Sequence, residues 1–166
     1  MFNLRDNFTD NYMTYIKKIA FLCLFIPFMS CALQKEGTVK VKQGVFGKVT
    51  WIEGNMMPSP DAPKSVGAGG IEREIRIYEA VTFKEVQGEA PLFTSIKGKL
   101  VKTVKSNAKG FYECELPAGE YSIFTVEEGA KLFANNSDGD GKINTVKIEN
   151  GKVVQLDIQI NYKAAY

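Results

Sequence analysis

Apolar and polar residues alternate along the chain from residue 45 onward, with the period of two that is typical of strands with one buried face. In residues 111–116, for example, Tyr112, Cys114 and Leu116 alternate with Glu113 and Glu115. The same pattern predicts strands over 45–51, 74–83, 100–105, 111–116, 121–126, 145–148 and 152–160. No stretch after residue 31 shows sustained helical periodicity, so we expect an all-β domain.

Turn signals separate these strands. Residues 106–110 and the Asn150-Gly151 pair combine amide side chains with glycine, which predicts a hairpin at each place. Residues 117–120 predict a further turn, and the glycines and prolines of 53–70 and 84–98 predict surface insertions. About seven short strands with such turns predict an antiparallel Greek-key sandwich, in which Trp51 is expected to anchor the core.

Residues 13–31 have the three-part layout of an export signal. Lys17 and Lys18 precede an apolar run over 19–29, and Ser30 precedes Cys31. The run is too short to cross a bilayer, because a spanning helix needs about 20 apolar residues. We therefore expect residues 1–30 to be a signal peptide, with translation starting at Met1 or at Met13.

Residues 28–31, Phe-Met-Ser-Cys, resemble a lipobox, which implies that the signal is cut before Cys31 and that Cys31 carries lipid. The alternative is an ordinary secretory signal cleaved near Ser30 or Ala32. Residues 31–43 are then a lipidated N-terminus and tether, and 44–166 form the β domain. Two or more acyl chains would hold this domain at a membrane without spanning it, and we favour the outer membrane.

Composition excludes several chemistries. The 166 residues contain no histidine, which removes Ser-His-Asp and Cys-His nucleophilic sites and most zinc sites. Cys114 therefore has no histidine to activate it and is expected to be a buried structural thiol. The acidic pairs Glu113/Glu115 and Glu127/Glu128 are expected on solvated faces. A formal net charge of +2 gives no sign of nucleic-acid binding, and we expect no enzyme.

Residues 105–112 and 116–123 carry a specific motif: a polar turn that closes on Gly110 and Phe111, then a strand, then Pro117, Gly119 and Tyr121. This motif resembles the carboxypeptidase regulatory-like domains, which are related to the transthyretin-like (prealbumin-like) sandwiches. The openings at 44–49 and 51–58 resemble small Bacteroidetes lipoproteins that bear such a domain. The resemblance implies a non-catalytic accessory or binding module at the cell envelope and transfers no catalytic residue.

Residues 136–144 are the strongest metal candidate. Asn136, Asp138 and Asp140 stand at positions one, three and five of a calcium loop, and Asn144 stands at position nine. Lys147 then occupies position twelve, where a bidentate carboxylate would complete the ligand shell. A polar turn between strands is the favoured interpretation, and a weak Ca²⁺ site is the alternative.

The segment after the first strand is a candidate for partner contact. Glu53, Asn55, Met56 and Met57 combine a charge, an amide and two adaptable thioether side chains. The sequence therefore predicts a lipid-anchored envelope protein that binds an envelope protein, glycan or peptide. The alternatives are a calcium-responsive binding module and a hydrolase that uses carboxylates only.

Overall fold

The structure, a computed structural model, describes residues 39–57 and 69–166, and these residues form β-strands, connecting turns and two single-turn 3-10 helices. The helices span Phe83–Glu85 and Glu128–Ala130. The strands are β1 (Gly44–Asn55), β2 (Gly69–Gly70), β3 (Glu74–Glu79), β4 (Val86–Glu89), β5 (Leu92–Ile96), β6 (Leu100–Lys105), β7 (Phe111–Glu115), β8 (Gly119–Val126), β9 (Leu132–Phe133), β10 (Thr145–Ile148), β11 (Val153–Gln155) and β12 (Ile158–Ala165).

The larger sheet has seven strands, in the order β4-β5-β9-β8-β3-β6 with β10 also paired to β8. Its pairs are antiparallel. Strand β8 is central, because β3 pairs along it while β10 and β9 pair with its first and second halves. Residues 121–125 of β8 are buried without interruption, as expected for a strand covered on both faces.

The smaller sheet is built around β1. Strands β7 and β2 pair with β1 in antiparallel fashion, whereas β11 and β12 pair with it in parallel. A bulge between Trp51 and Glu53 shifts the register with β12, so that Glu53 pairs with Lys163. Ile52 is buried, next to the half-buried Trp51. Within residues 39–57 and 69–166, the last strand is therefore held directly against the first.

The main core lies between the two sheets. One buried cluster contains apolar side chains from both sheets. The smaller sheet contributes Val45, Val49, Tyr112, Ile158 and Ile160, and the larger sheet contributes Ile75, Ile77, Tyr121, Ile123, Phe133, Val146 and Ile148. A second cluster contains Tyr78, Phe93 and Phe124, with Val81, Leu132, Ala134 and Ile143. Successive residues of β8 enter different clusters, so the larger sheet has apolar packing on both faces.

The predicted all-β sandwich is confirmed, but both predicted hairpins are wrong. β6 pairs with β3 in the larger sheet, whereas β7 pairs with β1 in the smaller sheet. In the same way, β10 pairs with β8 and β11 pairs with β1. Turn residues specify that the chain reverses, but the partner of each strand depends on which sheet buries its apolar face.

The turn at 106–110 shows the local chemistry of such a crossing. The Asn107 side-chain oxygen accepts N–H bonds from Lys109 (2.9 Å) and Phe111 (3.0 Å). Gly110 has φ = +84°, and a Cβ there would lie 2.1 Å from the Val49 carbonyl oxygen. Glycine is therefore required on two grounds, its left-handed conformation and its contact with β1.

Three further expectations are corrected by the strand assignments. Residues 84–98 contain the paired strands β4 and β5, and Phe93 of β5 is fully buried. The strand predicted over 152–160 is divided into β11 and β12. The first strand, predicted to end at Trp51, extends to Asn55 because β12 continues to pair with it. Cys114 is buried as predicted, and the Tyr121 hydroxyl donates to the Pro117 carbonyl oxygen at 3.1 Å.

Candidate functional site

The predicted partner residues lie at the end of β1. Glu53 and Asn55 are exposed and pair with Lys163 and Ala165 of β12. The Met56 N–H donates to the Ala165 carbonyl oxygen (2.8 Å), and the Asn55 side chain accepts the Met57 N–H (2.9 Å). We call Glu53, Asn55, Met56 and Met57 the partner strip.

Two large apolar side chains near this end of the β1–β12 pair are open to solvent. Met57 is 55% exposed, and Tyr166, which follows β12, is 68% exposed. Single exposed apolar side chains are common on protein surfaces, but two at the same end of one strand pair offer neighbouring apolar groups to a partner. Sequence reasoning found Met57 but missed Tyr166, because only the pairing with β12 brings the C-terminus to this end.

The candidate calcium loop is closed by its own hydrogen bonds. Ser137 and Ile143 form an isolated antiparallel bridge, and the Asn144 N–H donates to the Asn136 carbonyl oxygen at 2.9 Å. One Asp138 carboxylate oxygen accepts the N–H groups of Asp140 (3.0 Å) and Lys142 (2.9 Å). The structure therefore brings the loop residues together as a tight turn.

Two members of this loop also contact β8. Asn144 is buried in the left-handed conformation (φ = +44°), and its amide donates to the Ile123 carbonyl oxygen at 2.6 Å. Lys142 forms an ion pair with Glu120 at 2.8 Å, and this hydrogen bond raises the pKa of Lys142. Within residues 39–57 and 69–166, no three His, Cys, Asp or Glu side chains converge as a metal site would require. Calcium binding stays a prediction.

The Cys114 thiol and its acidic neighbours are held in place by β7. Burial raises the pKa of Cys114, so the thiolate needed for nucleophilic attack is disfavoured. Glu113 accepts backbone N–H bonds from Lys40 (2.7 Å) and Val41 (3.4 Å). Glu115 is exposed, as the alternation predicted.

A buried polar network was missed by the sequence reasoning. Glu127, expected on a solvated face, has a side chain that is 1% exposed. Its carboxylate oxygens lie 3.2 Å from Arg73 Nε and accept hydrogen bonds from the hydroxyls of Thr125 (3.0 Å) and Tyr162 (3.2 Å). Burial, with the nearby Glu127 charge, raises the pKa of Tyr162 to about 12.

Trp51 lies against this network. The guanidinium of Arg73 and the ammonium of Lys163 each lie 5.5 Å from the centre of its ring, and Tyr162 meets it edge-on at 5.3 Å. The network therefore joins β8, β12 and the connection between β2 and β3, and the Trp51 ring of β1 packs against it. Its members are 35 and 54 positions apart in the chain, so no local sequence signal could have revealed it.

A shallow cavity of about 320 Å³ lies on the other side of the larger sheet and was also missed. Phe83, Pro91 and Phe93 supply apolar walls, and Asn136 and Ser137 contribute polar groups. Phe83 is 46% exposed and lies 6.3 Å from the Phe93 ring. The sequence signal for this cavity was weak, because residues 84–98 resembled a surface insertion.

Cys31 lies outside the described residues, as do the predicted signal peptide over 1–30 and the first part of the predicted tether. The remainder of the tether is attached to the sandwich through Glu113 and through Gln43, whose amide nitrogen donates to the Leu116 carbonyl oxygen at 2.9 Å. Among the described residues, no helix is long and apolar enough to cross a bilayer.

The fold thus defines an all-β sandwich, with exposed apolar groups at one end of the β1–β12 pair. Comparisons with protein-family models, curated proteins and solved structures found no match for this chain. The similarity to carboxypeptidase regulatory-like domains therefore remains a prediction from the motif at 105–123.

Proposed function

We propose that this chain is a lipid-anchored accessory protein of the cell envelope, and that its β-sandwich binds an envelope protein, glycan or peptide without catalysing a reaction. The observation that carries the proposal is the export pattern of residues 13–31. In it, two lysines and a short apolar run end at Ser30-Cys31. An acylated N-terminus needs a cysteine at this point, and a tether needs a polar segment after it. Cys31 and residues 32–43 fit these two requirements.

The available side-chain chemistry supports binding over catalysis. The chain has no histidine, and the buried Cys114 has a raised pKa. The buried carboxylate, Glu127, is already occupied by a cation and two hydroxyl donors. General acid–base chemistry needs a group that can exchange a proton with a substrate, and Glu127 is enclosed by partners.

The partner strip supports a contact function. The strip continues a paired strand, so its backbone is ordered, while Met57 and the neighbouring Tyr166 remain exposed. A thioether and an aromatic ring side by side can bury apolar surface in a complex, and the flexible thioether adapts to the shape of a partner. We expect this end of the β1–β12 pair to carry the binding surface.

The anchor is tested by the intact mass of the protein extracted with detergent from the envelopes of its native host. A mass that begins at Cys31 and includes acyl chains is expected, and Cys31→Ala should abolish it. Cys114→Ala is the matched control and should retain the acylated mass. An unacylated mass for the unmodified protein would refute the lipid anchor.

The binding surface is tested separately by cross-linking in the native host. A photoreactive residue in place of Met57 should yield a defined adduct identified by mass spectrometry. The matched position is Leu100, another exposed apolar side chain, which lies in edge strand β6. Equal adducts at the two positions, or none at Met57, would count against the partner strip.

A further inference from the structure

Asn150 and Gly151 form the tight turn between β10 and β11. The Lys152 N–H donates to the Glu149 carbonyl oxygen at 3.1 Å, which closes a β-turn over these residues. Gly151 has φ = +67°, whereas the φ of Asn150 is not positive. This combination is that of a type II turn, with Asn150 at its second position and Gly151 at its third.

An asparagine followed by glycine can modify itself. The Gly151 backbone nitrogen, which no side chain hinders, can attack the side-chain amide carbon of Asn150. A nitrogen–carbon bond then forms, the bond from that carbon to the amide nitrogen breaks, and ammonia leaves with the proton from Gly151. Water opens the resulting succinimide ring to aspartate or isoaspartate. Asn150 and Gly151 are both exposed, so water reaches the reacting groups.

The turn geometry opposes ring closure. A succinimide ring is nearly planar, so the Cβ of Asn150 and the nitrogen of Gly151 must almost eclipse each other across the Cα–C bond. The second residue of a type II turn has ψ near +120°, at which these two atoms are about 120° apart around that bond. The peptide group between Asn150 and Gly151 must therefore rotate before the reaction, and the Gly151 N–H rotates with it.

Gln43 holds this peptide group in place. Its side-chain oxygen accepts the Gly151 N–H at 2.8 Å, across 108 positions of the chain. Its side-chain nitrogen donates to the Leu116 carbonyl oxygen at 2.9 Å, so the amide of Gln43 is fixed at both ends. The next residue, Gly44, is also tied to the turn, because its N–H donates to the Lys152 carbonyl oxygen at 3.0 Å. The Gln43–Gly151 hydrogen bond must break before the peptide group can rotate.

We propose that Asn150-Gly151 is a self-modification site and that Gln43 sets its rate by holding the Gly151 peptide group. This inference is independent of the lipid anchor and of the partner strip, because it uses contacts within the described β domain. Displacement of Gln43 from the turn would start the reaction. The product carries a new negative charge, and isoaspartate adds one backbone carbon to the connection between the larger and the smaller sheet.

The test follows the conversion of Asn150 by peptide mapping while the purified protein is incubated near neutral pH. Gln43→Leu removes the acceptor and should speed conversion about fivefold, which is equivalent to a hydrogen bond of about 1 kcal/mol. Lys42→Ala, at the exposed neighbouring position, is the matched control and should keep the original rate. An unchanged rate in Gln43→Leu, or an equal acceleration in Lys42→Ala, would overturn the role of Gln43.

Two measurements on the unsubstituted protein do not depend on how the Gln43→Leu variant folds. Asn150 should be converted more slowly in the folded protein than in the same protein unfolded in urea, because the unfolded chain rotates the peptide group freely. The Gly151 amide hydrogen should also exchange with solvent more slowly in the folded protein, since Gln43 holds it. Equal rates in the folded and unfolded protein, in either measurement, would overturn the proposal.

Discussion

The Arg73–Glu127 pair provides the sharpest test of how the two sheets are held together. We expect Arg73→Met to destabilise the fold more than Glu127→Gln does. Without Arg73, the Glu127 carboxylate remains at 1% exposure with no counter-charge. Without the Glu127 charge, Arg73 is still 26% exposed and can be hydrated.

The magnitudes follow from burial and hydrogen bonding. Removing the cation from a buried ion pair costs about 3 kcal/mol or more, because an uncompensated charge remains. Glu127→Gln keeps an oxygen that can accept from Thr125 or Tyr162, so we expect a loss of about 1–2 kcal/mol. In the double variant the two costs should overlap by about 1–2 kcal/mol, since the residues are in direct contact.

The assay is urea unfolding of the purified protein, followed by circular dichroism and by the fluorescence of Trp51, the single tryptophan. Lys99→Ala is the control, because it removes an ion pair with Glu79 in which both side chains are largely exposed. Exposed ion pairs of this kind contribute little to the free energy of unfolding. An Arg73→Met variant that is as stable as Lys99→Ala would refute the argument that this network stabilises the sandwich.

Three further predictions concern single groups. The Tyr162 pKa rises from 10.0 to about 12 on folding, so the free energy of unfolding should fall as pH rises between these values. The free energy of unfolding of Tyr162→Phe, measured by urea titration, should fall less steeply with pH across that range. An unchanged pH dependence in the variant would contradict the raised pKa of Tyr162. Asn144→Ala should lower the free energy of unfolding by about 2 kcal/mol. The variant removes the buried hydrogen bond to the Ile123 carbonyl oxygen, and it places alanine in a left-handed backbone conformation that alanine disfavours. Asn144→Gly should lower the free energy of unfolding by less than Asn144→Ala does, because glycine adopts the left-handed conformation readily. An equal or larger loss for Asn144→Gly would exclude backbone strain as a cause. Calcium should leave the melting temperature unchanged. A gain of about 2.7 kcal/mol at a hundredfold excess over the dissociation constant, abolished by Asp138→Asn, would instead establish the loop as a metal site.

Strand positions were largely predictable, whereas strand partners were not. The alternation around Cys114 correctly indicated which side chains of β7 are buried. The glycine-containing turns on either side of β7 and before β11 were also correctly placed. The interpretation of the turns at 106–110 and at Asn150-Gly151 as hairpins failed because each carries the chain from one sheet to the other. A turn sequence contains no information about the apolar surface that its flanking strands will cover.

The candidate sites differ in the same way. The partner strip and the loop at 136–144 could be found because each is contiguous in the chain. The Glu127 network could not, since its members come from three distant segments. The cavity beside Phe83 was missed because residues 84–98 were predicted to be a surface insertion. These residues instead form β4 and β5, and β5 pairs with both β4 and β9.

The sequence by itself determined the class of fold, the inward face of β7 and the absence of histidine chemistry, because these follow from local periodicity and composition. The export pattern ending at Cys31 is equally a property of the sequence. Only the tertiary structure decided that β12 lies parallel to β1, which brings Tyr166 beside the partner strip and Tyr162 onto Glu127. The physical reason is that distant strands are paired by the burial of their apolar faces across the sandwich, which no local pattern records.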